Sequence, residues 1–273
     1  MNLDLKSVKK RILKMLGKDG KSSSETENHG KHLITAKSSM RILEAYRMAR
    51  TNLLYSGKSE DGGVVFGVTS ASPSDGKSLT CANLAISFAM SGKRVLLIDG
   101  DLRLPSVARK MDVPLTPGLS NVLVGAVALD AAVVESEVCA NWNILPAGDI
   151  PPNPTELLGS GRMKKLIAAL EESYDFIVID LPPVNIVSDA LVAAPVLDGM
   201  IVVVRENQTT RRALNNCTSQ LALSNVKVLG FVMNDSTPSP GSYGRYKRYG
   251  RYGRYERNSY EKAAKKLRNR EDD

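Results

Sequence analysis

Five short runs of apolar, largely β-branched residues recur along the middle of the chain, separated by stretches with helical periodicity. The runs lie at 64–69, 94–99, 175–180, 200–205 and 226–233. Because each run is apolar on both faces, it suits a strand of a parallel sheet that helices cover on each side. The alternation of strands and helices predicts a right-handed, doubly wound, mostly parallel α/β domain, with ligands bound at the carboxyl ends of the strands.

The distribution of charge divides the chain into parts. Residues 241–273 contain eleven Lys/Arg and five Asp/Glu, a net charge of +6, which leaves only +2 of the total +8 for the rest of the chain. The basic character therefore belongs to an appendage and not to the folded body. We predict a basic N-terminal segment and linker at 1–37, a domain at 38–235 that opens with a helix at 38–56, and a flexible tail at 236–273.

Other features of the sequence exclude several classes of protein. No apolar run approaches the roughly 18 residues of a membrane-spanning helix, and lysines scattered among the first apolar residues are untypical of a secretory signal. The three cysteines lie far apart with no CxxC spacing, which argues against a metal site or a disulfide framework. We therefore expect a cytoplasmic protein with reduced thiols.

A phosphate-binding loop is predicted at 71–78, directly after the first strand, where the sequence ends in Gly76-Lys77-Ser78. Backbone N–H groups of such a loop point at phosphate oxygens, Lys77 would neutralise phosphate charge, and the Ser78 hydroxyl would ligate Mg²⁺. A helix starting near Leu79 would add its N-terminal dipole. The general template has glycine where this chain has Ala71, so the template alone misses the site. The alternative is a plain helix N-terminus with a solvated lysine.

Carboxylates follow two further strands of the predicted sheet. Asp99 ends the run at 94–99, Asp101 lies two residues beyond it, and Asp180 ends the run at 175–180. Because carboxyl ends of parallel strands share one edge of the sheet, these acids should face the same crevice as the phosphate loop. Asp180 reads as a Walker B residue, and Asp99 and Asp101 could ligate metal or accept a proton from an attacking hydroxyl. Any one of them alone could equally cap a helix or a turn.

These motifs resemble those of the bacterial tyrosine kinases of capsule and exopolysaccharide export, the BY-kinases, and in particular their free-standing CpsD/CapB type. The Walker A, A′ and B motifs of that family correspond here to TSASPSDGKS, LLIDGDLR and IVIDLPP. The segments 145–158 and 44–55 also look like the family's, and the resemblance covers about residues 38–260. Ser74-Asp75 replaces Gly-Glu in the loop, which keeps the carboxylate and loses the glycine.

The resemblance implies a P-loop NTPase fold of the ParA/MinD kind and an ATP·Mg²⁺ site. Its catalytic residues would be Lys77, Asp99, Asp101 and Asp180, and its metal ligands Ser78, Asp99 and Asp180. The nucleotide would contact Ser74, Asp75, Gly76, Lys77, Ser78, Leu79, Arg103 and Asn234. The implied partners are a membrane-spanning adaptor that recruits the kinase to the inner face of the membrane and activates it, further copies in a homo-oligomeric ring, and a cognate tyrosine phosphatase, with no nucleic acid.

The family forms its ring through an ExxRxxR helix, which corresponds here to Glu44, Arg47 and Arg50. At three-residue spacing these side chains drift around one side of a helix and are available to a neighbouring subunit. The alternative is a set of solvated charges with one i,i+3 pair, worth a few tenths of a kcal/mol. The residues alone favour that alternative.

Tyrosines dominate the tail. They stand at Tyr243, Tyr246, Tyr249, Tyr252, Tyr255 and Tyr260. The first five recur every third residue, a period that neither helix nor strand buries, so we predict exposed phosphoacceptors. Six phosphates would shift the tail charge from +6 to roughly −3 to −6. The competing interpretation is a nucleic-acid-binding tail, because alternating Arg and Tyr track phosphates and stack on bases.

Two further alternatives concern the ends of the chain and its fold. Leu5, Val8 and Ile12 form an apolar stripe opposed by lysines, and this short helix could lie on an anionic membrane or pack on its own domain.

The runner-up function is a ParA/MinD-like ATPase with a basic tail that binds nucleic acid or membrane. Those ATPases have a lysine where this chain has Ser72, which favours the kinase.

Overall fold

The computed structural model describes residues 33–35, 37–56 and 62–236 of the chain. The predicted N-terminal amphipathic helix and the six tail tyrosines lie outside these residues. Among the described helices, none has the length and apolarity needed to cross a membrane.

One seven-stranded sheet forms the centre of the described part of the chain. Its strands are β1 (Val64–Ser70), β2 (Val95–Asp99), β3 (Val134–Glu135), β4 (Trp142–Leu145), β5 (Phe176–Asp180), β6 (Gly199–Arg205) and β7 (Val228–Asn234). They lie in the order β3-β4-β2-β5-β1-β6-β7. All pairings are parallel except that of β3 with β4.

Helices connect the strands and cover the sheet. They are α1 (Met40–Ser56), α2 (Lys77–Ala89), α3 (Val107–Met111), α4 (Leu119–Val124), α5 (Pro154–Leu158), α6 (Gly161–Ser173), α7 (Asp189–Ala193) and α8 (Arg211–Leu223). Single 3₁₀ turns lie at Leu129–Ala131 and Ala194–Val196. Right-handed crossovers of this kind place the helices on both faces of a parallel sheet.

The core consists of two apolar layers, one on each face of the sheet. One layer includes Leu96, Ile98 and Ile179, together with residues of α6 and α8. The other includes the stacked rings of Phe66, Phe88 and Phe176, with Phe88 and Phe176 4.1 Å apart between centroids. Since consecutive strand residues point to opposite faces, the doubly apolar runs fill both layers.

The predicted fold class is confirmed, and all five predicted strands are present with ends shifted by at most two residues. The opening helix begins at Met40 instead of residue 38, because Thr35 N–H donates to the Ser38 hydroxyl in a turn that precedes the helix. The helix after the phosphate loop begins at Lys77, two residues before the predicted start. Strands β3 and β4 were not predicted.

Strand register brings the predicted acids together. Asp99 on β2 is the direct partner of Asp180 on β5, at the carboxyl end of both strands. Strand β1, on the other side of β5, ends at Ser70 and leads into the phosphate loop. The sheet therefore places both carboxylates and the loop at the same edge.

Candidate active site

The phosphate loop turns into α2 through Gly76, whose φ of 93° lies in the left-handed region that favours glycine. A Cβ at this position would stand 2.0 Å from Asn234 Nδ2. Ser74 also has a positive φ, 64°, so a serine occupies a conformation that glycine adopts at lower cost. The turn is therefore kept although Ser74 stands where the family motif has glycine.

Asp75 supports the loop from within. Its side chain is fully buried, and its carboxylate accepts hydrogen bonds from the Ser72 N–H (3.0 Å) and the Thr209 hydroxyl (2.9 Å). Arg205 Nη1 donates to the Ser74 carbonyl at 3.1 Å from the same β6–α8 connection. Asp75 thus holds the shape of the loop, and the nucleotide contact that the resemblance implies for it stays a prediction. Thr209 and Arg205 were not predicted.

Lys77 lies between two of the predicted acids. Its Nζ is 3.7 Å from Asp101 Oδ2 and 4.0 Å from Asp180 Oδ1. Burial lowers the pKa of Lys77, but the carboxylates of Asp180 and Asp101 raise it, and the net pKa lies above that of a free lysine. Lys77 is therefore a fixed cation at neutral pH, at the position where the loop would receive phosphate.

Asp99 anchors the segment that follows its strand. One carboxylate oxygen accepts from the Ser106 and Val107 N–H groups at 3.1 and 3.0 Å, and the other accepts from the Asp101 N–H at 3.2 Å. Burial and the neighbouring Asp180 raise the pKa of Asp99 to about 7, although the bonds from Val107 and Ser106 oppose the rise. Asp99 thus faces the site, and its carboxylate also holds α3 and Asp101 in position.

We expect metal-free protein to lose stability as pH rises from about 4 to about 7. The ordinary aspartate pKa is 3.8 and that of folded Asp99 is about 7, so the native state binds a proton in this window that the unfolded state has released. The free energy of unfolding therefore falls with rising pH and levels off above 7. The total change is on the order of 4 to 5 kcal/mol, since one pKa unit corresponds to about 1.4 kcal/mol.

Urea denaturation in EDTA across this pH range measures the slope. Asp99→Asn, which keeps an acceptor for the α3 amides without a titrating group, should reduce the slope. The exposed Asp130→Asn should retain it. A slope that is equal in both variants contradicts the assignment to Asp99.

The donor set suits Mg²⁺. Asp180 Oδ2 is buried and has no hydrogen-bond partner among the described residues, while Oδ1 accepts from the Cys81 thiol at 3.6 Å. Within the described residues, no three His, Cys, Asp or Glu side chains form a group that could hold a metal ion. Mg²⁺ usually binds one or two carboxylates together with phosphates and water, so Asp180 and the Ser78 hydroxyl fit it without a cage of protein ligands.

A further pair of residues, Ser106 and Lys110, reaches this site, and neither was predicted from the sequence. Ser106 Oγ lies 2.8 Å from Ser78 Oγ, and Lys110 Nζ donates to Ser106 Oγ at 2.8 Å. Burial lowers the pKa of Lys110, and Asp180 acts in the opposite direction. Both residues come from the α3 region that Asp99 anchors.

Arg103, a predicted nucleotide contact, forms a bidentate pair with Asp189. Its Nε and Nη2 lie 2.8 and 3.1 Å from the carboxylate oxygens, and Asp189 is fully buried. Thr155, at the start of α5, donates to the same carboxylate at 2.6 Å. Arg103 thus joins the Asp101 loop to α5 and α7, and its predicted nucleotide contact stays a prediction.

The predicted oligomerisation residues differ in their surroundings. Glu44 and Arg47 form an i,i+3 pair at 3.5 Å, and both are about half exposed. Arg50 instead donates to the Ser87 carbonyl on α2 of its own chain. Two of the three side chains are therefore accessible to a neighbour, and the ring role stays a prediction.

Asn234, a predicted nucleotide contact, ends β7 beside the phosphate loop. Its Nδ2 donates to the Asp75 carbonyl at 3.0 Å. Leu79 follows Lys77 and Ser78 in the first turn of α2. Of the predicted catalytic and nucleotide-binding residues, all lie at or next to this edge of the sheet, but Asp75, Arg103 and Asn234 are engaged with the protein itself.

Comparisons with known proteins agree with this geometry. A family model described as an AAA domain matches residues 73–229. Tyrosine-protein kinase YwqD of Bacillus subtilis (strain 168) is 39% identical over 191 residues, which cover 70% of this chain and 80% of the relative.

Solved structures show the same fold. The chimerical protein CapA2B2 superposes with a TM-score of 0.69 at 30% identity, covering 74% of this chain and 87% of that one. The septum site-determining protein MinD from Pyrococcus horikoshii OT3, complexed with Mg-ADP, gives a TM-score of 0.55 at 25% identity and covers 65% of this chain and 72% of that one.

Proposed function

Since the chain belongs to the bacterial tyrosine-protein kinases, we propose that it transfers the γ-phosphoryl group of ATP to tyrosine. The principal acceptors would be the tyrosines of its own tail at 236–273, and the reaction would regulate the synthesis and export of capsular or extracellular polysaccharide. The observation that supports this best is the convergence of Lys77, Asp101 and Asp180 within 4.0 Å at the end of a phosphate loop.

Phosphoryl transfer needs positioning and charge stabilisation more than covalent chemistry from the protein. The tyrosine oxygen attacks the γ-phosphorus, a P–O bond forms, the bond to the bridging oxygen of ADP breaks, and the hydroxyl proton moves to a carboxylate. Asp101 suits this role, because one of its oxygens faces Lys77 while the other accepts a single recorded hydrogen bond within the described residues, from the Leu104 N–H at 3.1 Å. Lys77 would balance the charge that develops on the phosphate oxygens.

Mg²⁺, when bound, neutralises phosphate charge and orients the oxygens for in-line attack. Ser78 and Asp180 would hold it, with Asp99 behind them on the neighbouring strand. The use of nucleotide and magnesium by this fold is supported by the Mg-ADP complex of MinD.

We propose that the tail is phosphorylated between molecules. Its first tyrosine, Tyr243, comes nine residues after Asn234, whose side chain contacts the phosphate loop. To test this, a Lys77→Met chain with an intact tail is mixed with an active chain that ends at Ser236. Phosphotyrosine is expected on the inactive chain, at a rate that rises with the concentration of the active one.

The control is the inactive chain incubated alone with Mg·ATP, which should stay unmodified. If the mixture also leaves its tail unmodified at every concentration while wild-type protein modifies itself, transfer occurs within one molecule. Light scattering of phosphorylated and unphosphorylated wild type then tests whether the charge reversal of the tail separates subunits, since exposed ionic contacts are weak and sensitive to salt.

The partners belong to the same proposal. A membrane-spanning adaptor would recruit the kinase to the inner face of the cytoplasmic membrane, subunits would assemble in a ring through the α1 residues Glu44 and Arg47, and a tyrosine phosphatase would reverse the reaction. The similarity to the chimerical protein CapA2B2 is consistent with pairing to a second component.

A ParA/MinD-like ATPase is the second candidate, because the MinD structure shares the fold. Ser72 stands at the position of the lysine expected there, and its N–H donates to Asp75. Cosedimentation of the ATP-bound protein with DNA or anionic vesicles, without phosphotyrosine after incubation with Mg·ATP, would favour this candidate.

A further inference from the structure

A second lysine lies next to the candidate metal site. Lys110 belongs to α3, and its ammonium group donates to Ser106 Oγ, which lies 2.8 Å from Ser78 Oγ. Two consecutive 2.8 Å hydrogen bonds thus separate Lys110 from the hydroxyl that would ligate Mg²⁺. The neighbouring Arg109, by contrast, is exposed.

The ammonium group of Lys110 has room for an anion at hydrogen-bond distance, although the more distant Asp180 and Asp99 carboxylates also act on its charge. Among the salt bridges of the described residues, none involves Lys110, and Ser106 is the hydrogen-bond acceptor recorded for its ammonium group. An ammonium group has three donors. The side chain is half-buried, so its charge is held near the phosphate loop and is not freely solvated.

Helix α3, which carries Lys110, is held in place by hydrogen bonds and by buried side chains. The Asp99 carboxylate accepts the Ser106 and Val107 N–H groups, and Val107 and Met111 are buried in the core. The same strand end that contributes Asp99 therefore also presents Lys110 to the site. ATP has about four negative charges at neutral pH, whereas the phosphate loop itself contributes only one cation, Lys77.

We propose that Lys110 is a second phosphate-binding lysine, whose ammonium group binds a phosphate oxygen of the nucleotide. This rests on the proposed function only in taking ATP as the substrate. With the polyphosphate in the loop, the Lys110 ammonium group would exchange its hydrogen bond to Ser106 Oγ for one to a phosphate oxygen. Lys77 and Lys110 would then bind the phosphates from two different helices, α2 and α3.

Calorimetric titration of ATP into the full chain, in EDTA, tests this without turnover and without the metal. Lys110→Met is expected to weaken ATP binding by about 10- to 100-fold, because it removes one hydrogen bond between charged groups. Arg109→Met removes the same charge from the same helix on its exposed side and should change the affinity less than twofold. Thermal denaturation of both variants checks that they are folded.

Ser106→Ala separates direct phosphate binding from an effect through the hydroxyl. If Lys110 contacts the phosphate, this variant keeps nearly wild-type affinity in EDTA. If it reproduces the loss seen in Lys110→Met, Lys110 acts only by positioning Ser106, and the proposal is wrong. Lys110→Arg, which retains the charge, should recover most of the affinity.

Equal affinities of Lys110→Met, Arg109→Met and wild type in EDTA overturn the proposal, as does tighter binding by Lys110→Met. Failure of the proposed function has a different signature. In that case wild type binds ATP and Lys110→Met binds it less well, but no phosphotyrosine forms with Mg·ATP.

Discussion

Lys77→Met is expected to abolish phosphotyrosine formation, with a loss of at least about 100- to 1,000-fold, as for removal of a single charge-stabilising group from an active site. Lys77 is the cation that lies between Asp101 and Asp180 at 3.7 and 4.0 Å. Without it, the γ-phosphoryl group would face the Asp101 and Asp180 carboxylates without the cation that lies between them. Methionine retains most of the apolar stem, so the fold should persist.

The protein is purified from a host that lacks tyrosine kinases, and phosphotyrosine is measured by mass spectrometry after incubation with Mg·ATP. Lys93→Met, at an exposed site beyond α2, controls for loss of a lysine elsewhere and should behave as wild type. Persistent modification of the Lys77→Met chain would mean that the phosphoryl group is transferred at another site.

The strands could be predicted where they are long and doubly apolar. β1, β2, β5, β6 and β7 each contain at least five residues rich in Val and Ile, and their composition alone distinguishes them from helices. β4 has four residues with Asn143 among them, and β3 has two. Such segments become strands through pairing with β2 and with each other, and this tertiary effect leaves no periodic signal in the sequence.

The acids could be predicted because parallel strands bring their carboxyl ends together. Asp99 and Asp180, 81 positions apart, are register partners for this reason. The residues around these acids could not be predicted. Thr209, Ser106 and Lys110 reach the site from loops between strands and helices and from the five-residue helix α3. Their positions depend on loop paths, for which spacing in the sequence is no guide.

The roles of the residues were harder to predict than their positions. Asp75 and Arg103 match motif positions for which nucleotide contacts are predicted, and those contacts stay predictions; in this structure the two side chains bind Thr209 and Asp189 respectively. A motif indicates that a side chain is needed near the phosphates. It does not distinguish a side chain that binds the nucleotide from one that holds the loop in place.

Asp101→Asn is expected to reduce the rate of tyrosine phosphorylation by about 100- to 10,000-fold, the range for loss of a general base, and to leave ATP affinity nearly unchanged. Burial raises the pKa of Asp101, and Lys77 and the Leu104 N–H only partly oppose this. A carboxylate with a raised pKa accepts a proton from a tyrosine hydroxyl more readily than an ordinary aspartate. Asn keeps the acceptor for Leu104 but cannot take the proton.

Asp180→Asn provides the contrast, because Asp180 Oδ2 is buried without a partner in the described part of the chain and suits the water shell of Mg²⁺. That variant should require a higher Mg²⁺ concentration for half-maximal rate, whereas Asp101→Asn should keep the wild-type requirement at a much lower maximal rate. Steady-state rates are measured over a Mg²⁺ series, and ATP affinity is measured by calorimetry for both variants. If the two lose ATP affinity equally and share one Mg²⁺ dependence, Asp101 and Asp180 act together on the metal, and the base is not Asp101.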